Sequence, residues 1–268
     1  MRSHRLPILR GAAARLGAAV AAAIAFVFTG ISPATAGPID AAVHGLEQAA
    51  GAPVEVARSH ENGLVTFMSA AGAPVPLGVS AASAPETRAR AFLAIHGRAF
   101  GIAGDPNVAH FRSHGPDEVG MEHVRFQQLH GGIPVTGGEL TVHLRGAAVV
   151  AVNSKTLDVE PNVPVTPAIT ADEALATAEA LIAKHFAVTD AVYSTPRLEV
   201  FNRGMLTGNR AATHLAWFIE AARIDLRQFI WVDATTGARL LDFSQLTDAL
   251  NRSVYTAGGG SKIGRAHV

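Results

Sequence analysis

Between Glu122 and Val152 the chain alternates apolar and polar residues in short runs broken by glycine, and no other feature limits its fold as strongly. The run Glu122-His123-Val124-Arg125-Phe126-Gln127-Gln128-Leu129 is followed by Gly131-Gly132, then Ile133-Pro134-Val135, then Gly137-Gly138. Glu139-Leu140-Thr141-Val142-His143-Leu144 comes next, then Gly146, and Val149-Val150-Ala151-Val152 closes the series. A period of two puts Leu140, Val142 and Leu144 on one face of a pleated strand, so the segment predicts a β-meander with one side in the core. Proline cannot donate to a ladder, which predicts that Ile133–Val135 is a short edge-like strand and Gly137-Gly138 a second turn.

The flanking segments add helices. Upstream, Val54–Arg58 and Leu64–Met68 flank Asn62-Gly63, a hairpin signal. A small-residue linker from Ser69 to Ala82 leads to Ser83-Ala84-Pro85-Glu86, read as a capping box. The helix it opens places Ala89, Phe92, Leu93, His96 and Phe100 on one side, with Gly101 as its stop. Gly104 to Glu118 reads as loop. Downstream, the proline-spaced stretch Glu160–Pro167 reads as a domain boundary. Thr170-Ala171-Asp172-Glu173 is a second capping box, and Ala174, Leu175, Ala178, Leu181, Ile182 and Phe186 form the apolar stripe behind it. Strands are expected at Leu198–Phe201, Leu215–Ala222, Gln228–Asp233 and Arg239–Phe243, with a tight turn at Asp233–Gly237. The expectation is an α+β fold of two small modules, each an antiparallel sheet packed by a helix, after a signal peptide.

That signal peptide is read from three arginines in the first ten residues, an apolar run from Gly17 to Ile31 and a small-residue cleavage site at Ala34, Ala36 and Gly37. The apolar run is short for ~30 Å of hydrocarbon, and no later segment is apolar enough to span a bilayer. The expected localisation is therefore secreted, with no stable membrane span after cleavage. The chain has no cysteine, so core and sheet alone must hold it, and thiolate metal sites and a Cys nucleophile are ruled out. Lysine plus arginine and aspartate plus glutamate each number 22, and losing Arg2, Arg5, Arg10 and Arg15 leaves the exported part at about −4. Nothing in that charge suggests nucleic-acid binding.

The local patterns of common catalytic sites are missing: there is no His-Glu-x-x-His, Walker loop, Rossmann glycine fingerprint or Gly-x-Ser-x-Gly elbow. His110 and His114 have metal-like helical spacing, but Asp105-Pro106 and Gly115-Pro116 bracket them, so they read as loop histidines. His60-Glu61 and Glu122-His123 are sequence neighbours, and on a strand each pair would point to opposite faces. The twelve histidines show no close cluster and read as surface residues. Gly258–Lys262 lacks the strand and helix of a phosphate loop and reads as flexible, and Asn251-Arg252-Ser253 is a formal glycosylation sequon. Trp217 and Trp231 read as core.

Two stretches carry a resemblance. Arg125, Phe126, Gln128, Gly132, Pro134, Val135 and Gly138 lie in a stretch from His123 to His143 that resembles the fungalysin/thermolysin propeptide module. The helix from Thr170, the strand with Trp217, and Trp231-Val232-Asp233-Ala234-Thr235-Thr236-Gly237 resemble a PepSY module, with Asp233 and Gly237 its most specific pieces. In that order they resemble the pro-region of a secreted thermolysin-like zinc metalloprotease precursor. The resemblance implies a signal peptide over 1–36, a propeptide-like module with an N-terminal hairpin over 37–159, a linker over 160–168 and a PepSY-like module over 169–247. It implies a flexible junction over 248–262 toward a catalytic domain, before which the chain is expected to be truncated. Residues 263–268, Ile-Gly-Arg-Ala-His-Val, resemble a translated sequencing adapter, and setting them aside removes Arg265 and takes the net charge to about −5.

The resemblance implies an intramolecular chaperone and temporary inhibitor, with the catalytic domain as partner in cis. The chain itself is not expected to be an enzyme or to hold a cofactor; zinc, and calcium with it, are expected only in the catalytic domain. The candidate contact segment comprises Leu241, Phe243, Leu246, Leu250, Arg252, Val254 and Tyr255. The alternative is a stand-alone exported PepSY-type inhibitor or binding module.

Overall fold

A computed structural model describes residues 37–70, 72–102 and 109–246. In chain order these form α1 (Pro38–Ala50), β1 (Glu55–Arg58), β2 (Val65–Ser69), β3 (Val75–Pro76), α2 (Pro85–His96), β4 (Ala109–Pro116), β5 (Glu122–His130), β6 (Ile133–Arg145) and β7 (Ala148–Lys155). There follow α3 (Ala171–Phe186), β8 (Val192–Tyr193), β9 (Arg197–Asn202), α4 (Gly204–Thr207), β10 (Thr213–Arg223), β11 (Leu226–Asp233) and β12 (Arg239–Ser244). The fold is α+β. Where two separate antiparallel sheets were expected, the twelve strands join in one mixed sheet, along the order β1-β2-β7-β6-β9-β10-β11-β12.

The join is made by β6. From Glu139 to Arg145 it runs between β5 and β7, antiparallel to both. Its first residues behave differently. Pro134 lies opposite Leu129, but the register then jumps, so that four residues, Val135 to Gly138, face Gln128 alone. This detour lets Val135 pair in parallel with Val200 of β9. The expected edge strand at Ile133–Val135 and turn at Gly137-Gly138 are thus one continuous strand with a large bulge. Proline is tolerated because the regular ladder is interrupted there.

Side-chain amides replace the lost ladder bonds. Gln127 Nε2 donates to the carbonyls of Val135 and Gly138 at 2.8 Å each. Gln128, 3% exposed, donates to the Leu157 carbonyl at 2.6 Å and accepts from its N–H at 2.9 Å. Gly137 takes φ 66°, and a Cβ on Gly138 would lie 2.9 Å from Val135 Cβ and 3.0 Å from Gln128 Oε1. The close approach of bulge and glutamine therefore excludes a side chain at Gly138.

The first half of the sheet buries one face under α1 and α2, with Leu46, Met68, Phe92, Phe100, Phe126, Leu140 and Leu144 at its centre. The hairpin β1–β2 and the helix α2 fall where the sequence placed them, and Gly101 ends the 3-10 turn after α2 at φ 68°. The cap of α2 differs from expectation. Its N-cap is Ala84, which has no side-chain oxygen to cap with, and Ser83 stands one residue further out, its carbonyl accepting from Arg88 Nε at 2.9 Å. Arg88, 3% exposed, also donates to the Gly146 carbonyl and pairs with Glu122. The expected loop before Glu118 is in part strand β4, whose residues apart from Ala109 and Phe111 are largely exposed and so show no apolar alternation. Helix α1, which no local signal had singled out, buries Val43 and Leu46.

In the second half α3 forms as expected, with Thr170 Oγ1 accepting from the Glu173 N–H at 3.2 Å and Glu173 reaching back to the Thr170 N–H at 2.7 Å. Ala174, Ala178 and Ile182 pack on Ile219, Ile230 and Val232. The proline-spaced stretch is not a free spacer: Val163 is buried with Val135, Val200 and Met205, and its carbonyl accepts from His130 Nε2 at 3.1 Å.

Candidate functional site

Strands alternate faces, so the residues of β9–β12 that do not meet α3 must form a second surface. They are aromatic. Phe201, Phe218, Phe229, Trp231 and Phe243 make a continuous cluster, with Phe201 and Phe243 stacked on Trp231 at 5.0 and 5.7 Å between ring centroids. Phe218 meets Trp231 at 4.9 Å and Phe229 at 5.1 Å. A cleft of about 320 Å³ opens between this cluster and the β6 bulge, lined at one side by Pro134, Val135 and Thr136.

One carboxylate ties the two sides together. Glu199, 7% exposed, accepts from Thr136 Oγ1 at 2.7 Å, from Trp231 Nε1 at 3.1 Å and from Arg197 Nε at 2.7 Å. The Arg197 guanidinium also lies 4.1 Å from the centre of the Phe218 ring, a cation–π contact. A buried carboxylate needs such donors, and three of them leave it positioning the aromatic wall.

Strand β12 ends the sheet and pairs only with β11 among the described residues. Leu241 lies opposite Trp231 and Phe243 opposite Phe229, which extends the aromatic surface to the edge. Phe243 is 36% exposed and Leu246 43%. An edge strand with free ladder groups and half-exposed apolar side chains can accept an added strand or fill a groove. Three of the seven contact residues expected from sequence are thus on the described surface. Leu250, Arg252, Val254 and Tyr255 lie outside the described residues, as do Ala34, Ala36 and residues 248–268; Gly37 is the N-cap of α1.

The motif residues are distributed between core and turns. Phe126 and Val135 are buried, Arg125 is exposed and Gly132 forms the β5–β6 turn at φ 83°. Trp217 Nε1 donates to the Ile169 carbonyl at 3.1 Å, anchoring the start of α3. Asp233 accepts from the N–H groups of Thr235 and Thr236 at 2.8 Å each and from His214 Nδ1 at 2.8 Å. Burial works against its charge, but these donors outweigh it and hold the carboxyl below the usual aspartate range. Gly237 completes the turn at φ 74°.

The histidines are not all surface residues. His96 is buried on α2, and burial lowers its pKa. His110 and His114 are exposed on β4, and His60 sits in a turn rather than on a strand. His123 and His143 face each other across β5 and β6. Sequence reasoning missed this pair, as well as Gln127 and Glu199; aligning β5 against β6 around the Gly131-Gly132 turn puts His123 opposite Leu140, and only the register shift at the bulge brings it to His143. Among the described residues no group of three or more His, Asp or Glu side chains could hold a metal ion.

A family model described as the Fungalysin/Thermolysin Propeptide Motif matches residues 112–156, which span most of β4 and all of β5, β6 and β7. This supports a fungalysin/thermolysin-type propeptide, and the matched family is a propeptide family, not a catalytic one. Among solved structures, the Bacillus megaterium YpeB C-terminal domain is similar over 72% of this chain and 76% of that one, at 11% identity and a TM-score of 0.34. No curated protein matches. No helix among the described residues is long and apolar enough to cross a membrane.

Proposed function

We propose that this chain acts as the pro-region of a secreted thermolysin-like zinc metalloendopeptidase precursor, folding its catalytic domain in cis and inhibiting it until the two separate. The observation that carries the reading is the propeptide-motif match over 112–156. Its two parts are the propeptide-like module, ending near 159, and a PepSY-like module over 169–247. The aromatic surface and the free edge of β12 are the contact face, with Leu241, Phe243 and Leu246 at its rim. Zinc belongs to the partner domain in this reading, and export follows the leader at 1–36.

The test is a purified chain beginning at Gly37, added in excess to the cognate catalytic domain with a fluorogenic peptide substrate. Hydrolysis falls with added chain, and denatured catalytic domain diluted in its presence regains more activity than without it. Unchanged hydrolysis at hundredfold excess rejects the inhibitory role, and unchanged recovery rejects the chaperone role.

A further inference from the structure

His123 on β5 and His143 on β6 are direct cross-strand partners, with Nδ1 atoms 2.6 Å apart and ring centroids 4.8 Å apart. The outer nitrogen of each ring is occupied. His123 Nε2 lies 3.2 Å from Asp117 Oδ2 in the β4–β5 turn, and His143 Nε2 lies 2.8 Å from Asn153 Oδ1 on β7. Both oxygens only accept, so both Nε2 atoms donate. Two neutral rings would then present bare lone pairs to each other at hydrogen-bond distance. One proton between them converts that repulsion into an N–H···N bond, and a second proton sets two N–H groups head to head.

We propose that His123 and His143 share one proton and form an acid-sensitive clasp across β5 and β6, which opens when the pair takes up a second. A metal ion fits the gap less well. Two bonds of ~2.05 Å at a tetrahedral angle would hold the nitrogens about 3.3 Å apart. The shared proton gives the pair one positive charge, matched by Asp117, whose carboxyl is held below its ordinary range chiefly by the Met121 N–H.

Burial, above all, holds His143 below the ordinary histidine pKa; the charges of His123 and Arg125 act in the same direction, while Asn153 and Asp117 oppose them. The neighbouring strands add little: β4 places Gly115 opposite His123, β7 places Ala151 opposite His143, and Arg145 stands two residues along β6. The depressed pKa of His143 disfavours uptake of the second proton in the folded chain, so the stability tied to that step is present above the unfolded value of 6.5 and is lost as pH falls through the folded value. For each extra proton the unfolded chain binds, the unfolding constant rises up to about tenfold per pH unit in that window.

The experiment follows ring resonances of the full chain by NMR from pH 8 to 4.5, alongside urea midpoints at each pH. His123 and His143 are expected to titrate together in two steps. The fall in midpoint on acidification shrinks in His143→Gln. Should that variant not fold, Asn153→Asp serves: a second carboxylate on the outer nitrogens shifts the acid transition to lower pH. Independent single-step titrations of the two rings overturn the proposal, as does an acid transition unmoved in both variants.

Discussion

The two ends of the sheet spend their faces differently. Around β5–β7 one face lies under α1 and α2 and the other is polar, carrying Arg125, Thr141, His123, His143 and Asn153. Around β9–β12 both faces are apolar: α3 covers one, and the aromatic cluster lines the other. A strand with one wet face needs no further partner, whereas a sheet apolar on both faces leaves surface unspent at its edge. The contrast teaches that one end of the sheet keeps its apolar surface to itself while the other leaves aromatic surface at an edge, the surface that the proposed function gives to a partner.

The largest test of this contrast concerns the self-contained end. Arg88→Ala strands Glu122 and the carbonyls of Ser83 and Gly146 beneath α2, and is expected to cost about 3–5 kcal/mol in urea unfolding. A loss below about 1 kcal/mol would show that the polar tie contributes little to holding this end together. At the join, Gly138→Ala forces a Cβ against Val135 and Gln128 and is expected to cost about 1–3 kcal/mol. If the bulge relaxes freely instead, the midpoint will not move. The smallest effect on stability belongs to the partner-ready end. Phe243→Ser, at a half-exposed edge position, is expected to stay within about 1 kcal/mol of the parent in unfolding while weakening inhibition of the catalytic domain tenfold or more. Equal losses in both assays would make β12 part of the core rather than a contact edge.

Local chemistry was legible in the chain and long-range pairing was not. The Thr170 capping box and the Asn62-Gly63 hairpin depend on neighbours a few residues away, and both form as read. The Ile133–Val135 stretch was misjudged because Val135 pairs with β9, far along the chain, and because amides from Gln127 and Gln128 that no periodicity reveals stand in for the ladder. Strand β4 was hidden by its exposure, and the His123–His143 pair by the need to know the β5–β6 register. Of the proposed contact face, Leu241, Phe243 and Leu246 were named from the sequence, while the cluster behind them, tied to β6 through Glu199, required the strands to be laid side by side.

The bulge in β6 also imposes a timetable. All strands of the first half precede Val200 in the chain, so a polypeptide folding as it emerges can close β1 to β7 before β9 exists. The Val135–Val200 rung is then the latch that closes late, after long loop closure, and Val135 waits beside an interrupted ladder until its partner arrives.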